Sequence, residues 1–397
     1  MHGVKKLSPR ARTCPICHRP CRKKGTTRAG TQRWYCTECR YSFTAPRADQ
    51  QRLAQFREFI DYVTDTRPRR HLTTSIRTWD RDHAWCWTTK PIWQPTGEIH
   101  DQIFIDGTYI AHGWCVLTAA TTQGIIDYQL CDRESKASYQ ALLARIPAPL
   151  VVVTDGAQGA LAAIRKEWPT SRLQPCQVHI QRNIRRVTTS RPKIVQHKAL
   201  YRLGLDLTRI TTSEQAIAWQ KKLAAFHNLY DPWLAERTFK ADTPPGVVPA
   251  FAKRNKAWWY THHNTRSIVR SLDTHVKDGV LFTYLDPNLE TTNKLRSTTN
   301  PLEGGINAPL KAYLHAHRGL TEHHMLRAMD YYLYSRSLNT QPITDFATNI
   351  DNPHHYTPTT LAQAQPKSTP PSTRAHPGKT ASQSAQDGSE TNPDTPP

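Results

Sequence analysis

Apolar and polar positions change period several times along the 397 residues. In QQRLAQFREFIDYVTD (49–64), Leu53, Phe56, Ile60 and Val63 recur at helical spacing and predict an amphipathic helix. Pro68 is expected to end it, and HLTTSIRTWDRDHAWCW predicts a second, basic helix. The pair, over 49–97, is compatible with a helix-turn-helix. From 101 the period shortens. IFIDGTYI, WCVLTAATT and GIIDYQLC are short runs rich in Ile, Val and Thr, separated by Gly113 and Gly124, and predict three strands. SKASYQALLARI predicts a helix, LVVVTD a strand buried on both faces, GALAAIRKEW a helix and SRLQPC a fifth strand. The order β-β-β-α-β-α-β points to an α/β fold with a mixed sheet covered by helices. From about 178 to 290 strand signals disappear, and AIAWQKKLAAFHNLYDPWL has helical spacing. An all-α insertion over 188–290 is therefore expected between two parts of the core, 98–187 and 291–339. INAPLKAYLHAHRG and EHHMLRAMDYYLYSRSL predict the closing helices, broken at Gly319. Segment 340–397 holds ten of the 29 prolines and has too little apolar surface to offset ordering entropy, so disorder is expected there.

Charge narrows the class of partner. Lys and Arg number 53 against 32 Asp and Glu, a formal net charge of +21. Residues 1–47 alone carry 12 Lys and Arg against one acid, Glu38. Such an excess suits a polyanion. No apolar run reaches the length of a membrane span and the N-terminus is not a signal peptide, so a cytoplasmic, non-membrane protein is expected.

Four of the nine cysteines have metal-ligand spacing. Cys14-x-x-Cys17 and Cys36-x-x-Cys39 can surround one structural Zn²⁺ ion, which predicts a zinc ribbon over 10–46 in a reducing compartment. His18 and Cys21 are nearby substitutes, read here as surface residues. Lys23, Lys24, Arg28, Arg33 and Arg40 would decorate the ribbon and meet DNA, and Trp34, Tyr35 and Tyr41 would pack or stack on bases. A ribbon that binds protein is the alternative.

The acidic residues carry the candidate chemistry. Asp106 and Asp155 each end an apolar run and precede Gly. One such Asp is most often a turn former, but two on separate strands match the sheet pattern of a ribonuclease H-like core and suit metal ligation. Asp101, Asp127, Asp132 and Glu134 are set aside as exposed, within a strand, or in a polar connection. For a third ligand, Glu290 and Glu303 both lie in the right region. Glu303 sits beside Gly304 and Gly305, and Asn300, Glu303 and Asn307 share one face at helical spacing, whereas Glu290 reads as loop.

DGTYI, VVTDGAQGAL, PCQVHIQRN and TTNPLEGGIN together resemble the core motifs of mutator-like (MULE-type) DDE transposases of bacterial insertion sequences. AWWYTHHNTRS, YLDPNLETTNKLRSTTNPLEGG and KAYLHAHRGL resemble an actinobacterial branch of that family, and the likeness covers roughly residues 10–340. The resemblance implies a ribonuclease H-like domain interrupted by a helical insertion, with the DDE triad on Asp106, Asp155 and Glu303. It also implies a Cys-x-x-His element, matched by Cys176 and His179, that brings His179 to the active site, where it contacts the scissile phosphate or orders a carboxylate. As a second zinc site, Cys176 and His179 alone are two ligands and too few. Arg182, Arg185 and Arg186 continue that helix toward DNA phosphates or form a solvated face. Most tryptophans of the insertion, Trp219 and Trp233 among them, read as core, with Trp258 or Trp259 as a candidate stack for a displaced base.

The function these readings predict is Mg²⁺- or Mn²⁺-dependent cleavage and strand transfer of double-stranded DNA at terminal inverted repeats. Two active-site ions and a dimer or larger assembly are expected. The alternatives are a catalytically silent DNA-binding regulator and a structure-specific ribonuclease H-like nuclease.

Overall fold

A computed structural model describes residues 12–338, apart from 15, 16, 18, 45–47, 67–70, 73, 90, 92, 94–96 and 245. The expectations for His18, Pro68 and segment 340–397 lie outside the described residues. Four short antiparallel strands come first, β1 (Arg12–Thr13), β2 (Pro20–Thr26), β3 (Gln32–Tyr35) and β4 (Ser42–Thr44), in sequential order. Helices α1 (Ala48–Thr64) and α2 (Ile76–His83) follow, α2 running on into a 3₁₀ turn over Ala84–Thr88. The central region comprises β5 (Gln102–Tyr109), β6 (Cys115–Ala120), β7 (Ile125–Cys131), α3 (Lys136–Leu143), β8 (Val151–Thr154), α4 (Gln158–Glu167) and β9 (Arg172–Pro175). The helical body has α5 (Gln177–Thr188), α6 (Val195–Leu207), α7 (Ser213–Leu234), β10 (Arg237–Phe239), β11 (Trp258–Tyr260) and α8 (His263–Lys277). The chain closes with α9 (Asn300–Leu302), a π-helical turn (Glu303–Asn307), α10 (Ala308–Ala316) and α11 (Glu322–Tyr334).

The five predicted central strands form one mixed sheet of order β7-β6-β5-β8-β9. β7, β6 and β5 pair antiparallel, and β5, β8 and β9 run parallel. Side-chain alternation splits β5 between two cores. Ile103 and Ile105 pack with Leu142 and Leu143 of α3 and Ala160 and Ile164 of α4. Phe104 faces the other way, into a core shared with α1, α10 and α11. Asp106 lies on the Phe104 side by the same alternation.

The segment 49–97 contributes to that second core. Phe56 and Phe59 of α1 meet the Tyr331 ring edge-on at 6.0 and 5.6 Å. A buried polar network ties the same parts together. Arg327 donates to Asp330 at 2.8 Å and to the Trp87 carbonyl at 3.2 Å, and the Tyr128 hydroxyl donates to the other Asp330 oxygen. All three side chains are buried.

The 188–290 segment is not all-α. Three-residue strands β10 and β11 pair antiparallel, Arg237 with Tyr260 and Phe239 with Trp258. Strands this short carry no alternation long enough to read, and the Pro- and Gly-bearing run ADTPPGVVP between them obscures the hairpin. Trp219 is core, with its indole N–H on the Leu203 carbonyl at 2.9 Å. Trp233 is partly buried and stacks on His262 at 3.6 Å. No helix among the described residues is long and apolar enough to cross a membrane.

Candidate acidic centre and cysteine cluster

Strand register sets the first two acids side by side. Phe104 of β5 is level with Val153 of β8, so Asp106, inside β5, and Asp155, the first residue past β8, each two residues further along, come side by side. Gly156 has φ of 89°, a left-handed value that turns the chain sharply out of β8. The Asp155 carboxylate accepts the Ala157 N–H at 2.9 Å.

The third acid comes from the other end of the chain. The π-helical turn carries both Glu303 and Asn307, and the Asn307 side-chain amide donates to Asp106 at 2.8 Å. Glu303 Oε2 accepts from Arg182 at 2.6 Å and Oε1 from the Thr299 hydroxyl at 3.0 Å, and His179 Nδ1 stands 3.6 Å from Oε1. Burial would raise the Glu303 carboxyl, but Arg182, Thr299 and His179 outweigh it and hold it below the usual range. Asp106 has no guanidinium against it. Burial and then the Asp155 charge push its carboxyl up to about 7; His179 opposes the rise and Glu303 adds to it. Asp106, Asp155, Glu303 and His179 are thus brought within one electrostatic neighbourhood.

Cys176 caps α5 and is almost fully buried. Its sulfur accepts the Thr299 N–H at 3.3 Å and the Thr299 hydroxyl at 3.2 Å. Burial raises the thiol, but His179 and Thr299 overcome it and the net direction is down. The Cys176 sulfur in turn holds the His179 imidazolium above its ordinary value.

Glu134 was not foreseen beside this centre, on the other face of β5 from Asp106. A Cβ on Gly107 would come within 2.5 Å of Glu134 Cδ, so the carboxylate lies directly over the residue after Asp106. The Tyr139 hydroxyl donates to it at 2.9 Å. Burial and then the Asp155 charge raise its carboxyl, with Tyr139 opposing them. The signal in the sequence was the Gly of Asp106-Gly107, which permits close approach by another element.

The remaining candidates lie elsewhere. Arg185 and Arg186 are exposed on α5, while Arg182 is engaged by Glu303 and is not a free phosphate contact. Trp258 and Trp259 line a separate pocket in the helical body with Lys256, Arg266 and Arg270. Arg237 already lies over the Trp258 ring, 4.1 Å from its centroid. Glu290 is in a loop and Asp101 accepts from the Thr292 N–H and hydroxyl, which anchors that loop.

In the N-terminal sheet the sulfurs of Cys14, Cys17, Cys36 and Cys39 lie within 4.8 Å of one another, with Cys17 and Cys36 at 3.6 Å. A tetrahedron with Zn–S bonds of about 2.3 Å has edges of about 3.8 Å, so the cluster is compatible with a zinc ribbon. Cys21 instead directs its sulfur at the Arg19 carbonyl, 3.6 Å away. Lys23, Lys24, Arg28, Arg33 and Arg40 are exposed, and Lys24 sits over the Tyr35 ring at 4.1 Å. Trp34 is buried, and Tyr41 is exposed and stacked on Phe43.

A mixed sheet thus carries one acid within β5 and a second just past β8, met by a third from the π-helical turn. Comparison with known proteins adds a likeness. Residues 101–237 match the model of the family described as Transposase, Mutator family. The transposase for insertion sequence element IS905 of Lactococcus lactis subsp. lactis (strain IL1403) is 28% identical over 140 residues, covering 30% of this chain and 36% of the relative. The chain thus spans about a third of that relative's length. Asp106, Asp155 and His179 fall inside the matched segment, and Glu303 lies beyond it.

Proposed function

We propose that this chain is the transposase of a bacterial insertion sequence, a ribonuclease H-like enzyme that cleaves DNA at terminal inverted repeats and joins the freed ends to target DNA. One observation carries the reading: Asp106 of β5 stands beside Asp155, just past the parallel strand β8, and a single π-helical turn brings Asn307 onto Asp106 and Glu303 into the same centre. The sheet order, antiparallel on one side of β5 and parallel on the other, supports the ribonuclease H-like assignment.

The donor set fits Mg²⁺ or Mn²⁺. Asp106, Asp155 and Glu303 offer only oxygen, and the crowding that lifts Asp106 is the kind that divalent cations relieve. When bound, a pair of such ions supplies Lewis-acid activation of the phosphodiester and charge neutralisation at the leaving oxygen. Asp106, which feels the charges of both Asp155 and Glu303, would hold such ions together with them. Asn307 fixes the Asp106 carboxylate, and Thr299 and His179 orient Glu303. Arg182 neutralises Glu303 through a 2.6 Å contact to Oε2. Arg185, Arg186 and the exposed ribbon cations supply phosphate contacts to double-stranded DNA, and one structural Zn²⁺ on the four cysteines holds the ribbon. Trp258 and Trp259 offer aromatic surface to an unpaired base near the cut. Two element ends must meet, which calls for a dimer or larger assembly acting on DNA in the bacterial cytoplasm.

Asp106→Ala and Glu303→Gln are expected to lower cleavage of end DNA in Mg²⁺ by about a thousandfold or more while duplex binding persists. Variants that cut at the parental rate would remove the assignment. Strand-transfer products from donor ends and a target plasmid separate this reading from a structure-specific nuclease, which would cut without joining.

A further inference from the structure

We infer that Cys176, His179 and Glu303 form a site for a thiophilic transition ion, Zn²⁺ fitting best, which competes with the oxygen-bound ions for Glu303. The inference rests on the proposed role of Glu303, but the site itself stands on separate geometry. One ligand atom from each residue lies within 4.8 Å of the other two. His179 Nδ1 is buried and stands 3.6 Å from Glu303 Oε1, and the ring interacts with the Cys176 thiol. In a tetrahedral S, N, O set the ligand atoms are about 3.3–3.6 Å apart, so small side-chain movements close the site.

The surroundings hold the donors in place. Cys176 and His179 are three residues apart at the start of α5, which puts them on one face of the helix. The Thr299 N–H donates to the Cys176 sulfur, and the single Thr299 hydroxyl proton is shared between that sulfur and Glu303 Oε1. One residue therefore orients two of the three ligands. Arg182 takes Oε2, which leaves Oε1 turned toward His179. A thiolate and an imidazole select Zn²⁺ over Mg²⁺, and three protein ligands leave a fourth position for water. An ion at this site removes Glu303 from Asp106 and Asp155, so trace Zn²⁺ acts as an off-switch.

The test uses the full chain, stripped of metal and reloaded with Zn²⁺ or Co²⁺. The parent should hold two equivalents, one in the ribbon, and Cys176→Ser and His179→Ala should each hold one. With Co²⁺, a Cys36→Ser/Cys39→Ser ribbon variant should keep a single-thiolate charge-transfer band that Cys176→Ser removes. If the ribbon variant fails to fold, the Cys176→Ser difference spectrum, with the ribbon intact, gives the same answer. In Mg²⁺ cleavage assays, Cys176→Ser should raise the inhibitory Zn²⁺ concentration at least tenfold. One equivalent in the parent, or identical Co²⁺ spectra for parent and Cys176→Ser, overturns the site. Two equivalents without Mg²⁺-dependent cleavage would leave the site standing and sink the transposase reading instead. Cleavage with one equivalent would do the reverse.

Discussion

Asp106 sits where burial and two neighbouring carboxylates all oppose its charge, and that sets how the centre responds to pH. Its carboxyl is pushed from 3.8 up to about 7. Below about 7 it keeps a proton that any cation must displace. Affinity for Mn²⁺, read by calorimetry, should therefore fall about tenfold per unit as pH drops below 7, and level off above it. Asp155→Asn removes a repelling charge and should move that break to lower pH. An affinity that is flat between pH 6 and 8 would contradict the arrangement. The raised value also means that the metal-free fold loses stability as pH climbs from about 4 through 7, because the native state holds a proton that the unfolded chain has released. Gly107 offers a second test. Its substitution by Ala drives Cβ into Glu134, and the expected loss is about 1–3 kcal/mol in denaturant melts, largely recovered in Gly107→Ala/Glu134→Ala. Asp106 and Asp155 were legible because each ends an apolar run before a Gly. Glu134 and the Arg182–Glu303 pair were not, since both depend on elements that meet only in three dimensions.

Among the elements, the turn at Glu303–Asn307 is the most informative. Helical spacing placed Asn300, Glu303 and Asn307 on one face. The π-helical widening keeps Glu303 and Asn307 at one centre but gives them different partners, Arg182 and Thr299 for Glu303 and Asp106 for Asn307. Such turns recur at functional sites and carry no periodic signature of their own. The central strands were legible because runs such as LVVVTD are long and β-branched, whereas the β10–β11 hairpin, at three residues a strand, was not. Helix α11 brings a buried charge pair into the core it shares with α1 and the sheet. Arg327→Met leaves Asp330 buried against Tyr128 without its cation, and should cost about 3–5 kcal/mol in equilibrium unfolding. A loss below 1 kcal/mol would mean that the network carries little weight.

At the scale of the whole molecule, the excess of positive charge and the cysteine cluster divide the work. The N-terminal sheet buries little besides Cys14, Cys21, Trp34 and Cys36, too small a core to hold it without an added cross-link. A strong chelator should therefore quench the Trp34 environment and weaken duplex binding tenfold or more, while the melt of the central sheet stays within about 2 °C. Loss of both together would show that the ribbon and the sheet fold as one unit. The net charge of +21 was legible and suits a polyanion, although which cations face outward needed the fold.

Helix α5 belongs to two bodies at once. At its start it bears Cys176, His179 and Arg182 beside Glu303, and further along Ile184 is buried among α6 and α8, with Gly204 pressed against it. A helix is a stiff lever. Any tilt of the inserted body, whether from DNA lying across it or from a neighbouring subunit, must turn that lever and shift the basic side chain that guards the third carboxylate. The insertion is built less as an appendage than as a handle on the centre.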